Sequence, residues 1–144
     1  MALVGNPVET LSIVSASAVS SPAAETAIVT TDPIIASAPP PAAPGGTAPF
    51  VTRPVTIRVS LNVTAGTGTT AWVTRCRQGS GVGGAQVGAA MTDSLAATNF
   101  EQASYVFRDT SPLAGASPYT ITVAQTGNTV AGTVNAIDVE VTQL

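Results

Sequence analysis

The chain has 144 residues with no histidine, five basic residues that are all arginine, eight acids and a formal net charge of -3; only 9% of residues are charged. An ordinary soluble domain carries about 25% charged residues, so a chain this neutral is expected to hide much of its surface against other chains. The weak, scattered charge argues against nucleic acid or an anionic membrane as partner, and without histidine or lysine the commonest general base, metal ligand and Schiff-base former are missing.

The opening, Met1 to Pro7, has no basic run of the kind that begins a secretory leader. No apolar stretch approaches the roughly 18 residues needed for a membrane-spanning helix. Strand-like runs are predicted at Val8 to Val14 and Thr26 to Thr30, followed by Ile34 and Ile35. The stretch from Ala38 to Gly46 contains Pro39, Pro40 and Pro41, which fix φ and remove backbone donors, so polyproline II is expected there with the glycines as a pivot. Residues 1–48 therefore read as an extended N-terminal arm, and residues 49–144 as a β-sandwich domain.

The clearest strand follows. Val55, Ile57, Val59, Leu61 and Val63 alternate with Thr56, Arg58, Ser60 and Asn62, the period-two pattern of a half-buried strand. The turn residues Ala65 to Thr69 lead to a second strand near Thr70 to Gln78, and the two read together as an antiparallel hairpin. In the second, Trp72, Thr74 and Cys76 share one face, expected to be the core side. After a glycine-rich loop at Gly79 to Gly84, a weaker strand is predicted near Ala85 to Met91, and further strands at Ala103 to Arg108, Tyr119 to Ala124 and Thr129 to Thr142. Short strands joined by Gly, Pro, Asn and Ser loops, with no helical crossover, point to an all-β fold: an antiparallel, jelly-roll-like sandwich.

The chemistry-bearing residues are few. Asp138 and Glu140 lie two apart on one strand face, where they would meet Ca²⁺ or form an acid–base pair if Asp109 came near; a solvated outer face is the ordinary reading. The loop Gly79 to Gly84 lacks the Gly-Lys-Ser/Thr ending of a phosphate cradle. The lone Cys76 reads as a small buried apolar side chain. Trp72, Tyr105 and Tyr119 would make a sugar-stacking platform if they were exposed, but each sits where core packing is expected. Arg58, Arg75 and Arg77 are three of the five cations, and on adjacent strands they would form a basic patch for the carboxylates of a neighbouring subunit. No metal, cofactor or catalytic residue is expected.

The succession Val55 to Leu61, Gly66 to Thr70, Val73 to Ser80 and Tyr119 to Val123 resembles the small jelly-roll domains of viral surface proteins, among them the tumour-necrosis-factor-like head decoration or cement proteins of tailed phages. The resemblance covers about Phe50 to Leu144 and implies a non-enzymatic virion protein on the outer capsid surface, a homotrimer bridging capsomers of the major capsid protein or another shell protein. A receptor-binding module at a fibre or spike tip is the alternative. Arg58, Arg75, Arg77, Ile34, Ile35, Pro39, Pro40 and Pro41 are the candidate interface residues.

Overall fold

The computed structural model describes residues 9–35, 37–38, 51–95 and 99–143. They form twelve strands: β1 (Glu9–Ser21), β2 (Thr26–Thr30), β3 (Ile34–Ile35), β4 (Ser37–Ala38), β5 (Val51–Thr52), β6 (Val55–Thr64), β7 (Ala71–Gln78), β8 (Met91–Asp93), β9 (Phe100–Asp109), β10 (Ala116–Ser117), β11 (Tyr119–Thr126) and β12 (Gly132–Gln143). One four-stranded sheet has the order β1-β12-β6-β9 and the other β2-β11-β7-β8; β3 pairs with β10 and β4 with β5. Every pairing is antiparallel. The strands of the two large sheets pair from the outside in, β1 with β12, β2 with β11, β6 with β9 and β7 with β8. The result is the all-β, antiparallel sandwich expected from the sequence.

The alternation in β6 does what its period predicts. Val55, Ile57, Val59, Leu61 and Val63 are buried between the layers, while Arg58 and Ser60 face outward. Opposite them, β7 turns Trp72, Thr74 and Cys76 inward against Tyr119, Ile121, Val123 and Gln125 of β11. In β12 the inward residues Val134 and Ile137 are three apart, a break in period two. The backbone absorbs it as a bulge between Val134 and Ala136, which restores the inward phase for Val139 and Val141.

Three expectations are corrected. The arm does not extend across residues 9–35: β1 is a 13-residue edge strand of the first sheet, and β2 is the corresponding edge of the second. The apolar side chains Leu11, Val14, Ala16 and Val19 pack against the core, which is what holds this segment to the sandwich. Pro39, Pro40 and Pro41 lie outside the described residues. The expected hairpin is also replaced, because β6 already has β12 and β9 on its two sides and β7 must cross to the other layer. The crossing loop is held by the buried Gln125, whose Oε1 accepts from the Gly66 N–H at 2.9 Å and the Thr69 hydroxyl at 2.8 Å. Finally, Ala85 to Gly88 makes a single bridge, Gln86 to Arg77, and the strand forms later, at Met91–Asp93.

Candidate functional site

The outer face of the second sheet is closed by its own chain. Glu25, in the connection between β1 and β2, sets its carboxylate across β7 and β11. It accepts from Arg77 Nε at 2.8 Å and Arg77 Nη2 at 2.7 Å, and from the Thr122 hydroxyl at 2.5 Å. Arg75 stands farther off, at 3.8 Å. The bidentate Arg77 pair holds the Glu25 carboxyl below its usual range, against the opposing pull of partial burial. Beside it, the loop from Gly79 to Gly84 folds back over the sheet. The Thr120 hydroxyl donates to Gly79 O at 2.8 Å and accepts from Gly81 N at 3.1 Å, and Arg77 Nη1 reaches Gly84 O at 3.2 Å. Thr120 and Thr122, on the outward side of their strand, are fully buried as a result.

The outer face of the first sheet is open. Its cross-strand rows carry short polar side chains: Ser15, Asp138, Ser60 and Ser104 in one, Ser17, Ala136, Asn62 and Gln102 in the next. Between β12, β6 and β9 they floor a shallow depression of about 370 Å³. Around it stand exposed apolar side chains, Ile13 at 70%, Phe100 at 60% and Val106 at 58%. Arg58 shares a cross-strand row with Ile13, Glu140 and Val106.

The two layers are tied at their ends by buried polar side chains. Asp109, at the end of β9, accepts from Gln78 Nε2 at 2.6 Å, the Tyr119 hydroxyl at 2.8 Å and Ser111 N at 2.9 Å. At the other end Gln125 also donates to Ser21 O. Gly132 lies against this amide: a Cβ there would come within 2.7 Å of Gln125 and 2.6 Å of Thr64 O. Burial pushes the Cys76 thiol up to about 12, the behaviour of a packed side chain rather than a nucleophile. Between the layers at the β8–β9 edge, the Tyr105 hydroxyl donates to Asp93, and burial together with the Asp93 charge raises the Glu101 carboxyl.

The sequence candidates separate under this geometry. Arg75 and Arg77 come together, but on Glu25 of the same chain, and Arg58 lies in the other sheet, so the three make no common basic patch. Ile34 is buried in the sandwich, and only Ile35 of that pair is exposed. Trp72 and Tyr119 are buried and Tyr105 is half-buried, so no aromatic platform faces solvent there. Asp109 is buried between the layers, whereas Asp138 faces outward, so the acid pair of β12 gains no third carboxylate from it. Among the described residues no three His, Cys, Asp or Glu side chains are grouped to hold a metal. Glu25 escaped notice in the sequence, although it is the single charged residue between Glu9 and Asp32. No protein-family model matches the chain, and no curated protein matches it.

Proposed function

We propose that this chain is a non-enzymatic structural protein of a virion, a decoration or cement protein that sits on the outer capsid surface, acts as a trimer and bridges capsomers. The observation that carries the reading is the open face of the first sheet, where Ile13, Phe100 and Val106 stand exposed in a chain with only 9% charged residues. Apolar side chains set around a polar floor on a weakly charged face offer another protein both apolar and hydrogen-bonding contacts. Bound copies would stabilise the shell by mass action, since each one binds the assembled state and not its disassembled parts. The polar depression on the same face favours a second reading, a receptor-binding module at a fibre or spike tip.

The copy number of the chain in its native particle, by quantitative mass analysis, tests the proposal. A fixed ratio to the shell subunit, at hundreds of copies, is the expected outcome. A handful of copies in threes or sixes would sink the cement role and move the assignment to a spike or fibre tip.

A further inference from the structure

Among the described residues β1 is the outer strand of the first sheet, with β12 as its ladder partner on one side. From Thr10 to Ser21 it contains no charged residue and no proline. Exposed strand edges template pairing with other chains, and proteins usually blunt them with lysine, proline, inward charges or bulges. Here the irregularities sit at the ends: a register shift between Thr10 and Ser12, and Ala18 at a φ of 54°. Between them Ser12 to Ser17 runs in unbroken register against Val141 to Ala136, a regular and neutral edge.

Two of the remaining edges of the large sheets are short: β8 has 3 residues and ends on Asp93, and β2 has 5 and follows the charged Glu25; β9 carries Glu101 and Arg108 on either side of the uncharged run Gln102 to Phe107. A second observation concerns the inward side of β1. Leu11, Val14, Ala16 and Val19 pack on the core yet are only half-buried, with no strand beyond them among the described residues.

We propose that Ser12 to Ser17 pairs antiparallel with the same segment of a second copy across a twofold axis, joining two first sheets into one eight-stranded sheet. A twofold interface is self-complementary, and opposite side chains of an antiparallel pair share a face, so a register centred on Ser15 sets Ser15 against itself and Ile13 against Ser17. Any charge there would stand near its own kind, and the segment has none. The pairing supplies partners for the edge N–H and C=O groups that face no other described strand, covers Val14 and Ala16 on the inward side, and brings Ile13 of each copy against the other's outer face. It stands without the virion role; within a shell of trimers it would add the twofold contact that links one trimer to the next.

Sedimentation equilibrium of the full chain, alone in solution, tests this. The expected result is reversible association through pairs, weakened roughly fivefold or more by Ser15→Lys, which places like charges together at the joint. Ser15 is exposed, so circular dichroism should be unchanged in that variant, with Ser17→Lys as a second case. Mixtures of the single variants Ile13→Cys, Ser15→Cys and Ser17→Cys should give a covalent dimer on oxidation, the buried Cys76 staying silent. A chain that stays monomeric at the highest soluble concentration overturns the proposal. So does an oligomer that Ser15→Lys and Ser17→Lys leave intact and that no cysteine mixture cross-links. Neither result bears on copy number in the particle, so the two proposals fail separately.

Discussion

The outer faces of the two sheets show how the same strand chemistry can end in opposite surfaces. Both are rows of alternating polar residues on antiparallel strands, and both contain arginine. On the second sheet a carboxylate and a glycine loop from elsewhere in the chain descend onto those rows and bury Thr120 and Thr122. On the first sheet nothing among the described residues does so, and Ile13, Phe100 and Val106 remain in contact with solvent. Whether an outward-facing row becomes interior or surface depends on what a distant segment delivers to it.

Substitutions can separate the faces. The largest effect is expected from Gly84→Ala, since a Cβ there would collide with the backbone carbonyl of Gln78, which the folded-back loop cannot avoid without lifting. A loss of about 3 kcal/mol in urea unfolding is expected, near the upper end for steric overpacking. Stability within a few tenths of the parent would show that the loop is not closed over the sheet.

A smaller loss, about 1 to 2 kcal/mol, is expected for Glu25→Gln, which removes the charge of a partly solvated pair and weakens the Arg77 and Thr122 hydrogen bonds. Its pH dependence carries a sign. The folded-state carboxyl lies below the ordinary value of 4.5, so its contribution is present above that pH and fades as pH falls through the lowered folded value. The gap in stability between parent and variant should therefore close on acidification. Comparing the two proteins removes the opposite trend of Glu101, whose carboxyl is raised in the fold. A gap that is constant from neutral to strongly acidic pH would mean that the ion pair contributes nothing.

The smallest effect belongs to the open face. Ser104→Ala, exposed on β9 and 3.4 Å from the Ser60 hydroxyl, should change stability by less than about 0.5 kcal/mol. A larger loss would mean that the face is already engaged within the monomer.

Much of the sandwich was legible from residue order. The alternation of β6 identifies a strand and its buried side, because a sheet with one covered face demands period two whatever its partner is; that of Tyr119 to Val123 identifies the strand and its core side, but not the burial of Thr120 and Thr122. Pairing was less legible. The period of Val55 to Val63 is the same whether the next strand lies beside it or in the opposite layer, so the apparent hairpin and the actual crossing look alike in sequence. Residues 9–35 misled for a related reason: placed before the proline-rich stretch they read as part of an arm, but half-buried Leu11, Val14 and Val19 are enough to dock β1 beside β12.

The surface features separate along the same line. The scarcity of charge and the neutrality of Thr10 to Ser21 are properties of composition, and they follow from the sequence by itself. That Arg77 is met by Glu25, that Asp109 and Gln125 tie the two layers, and that Arg58 stands apart from Arg75 and Arg77 were decided only by the tertiary structure. Local pattern sets which way a side chain points, through the pleat of its own strand. What it meets there is brought by residues 52 positions away in sequence for Arg77 and 59 for Gln125, and no local period encodes that distance.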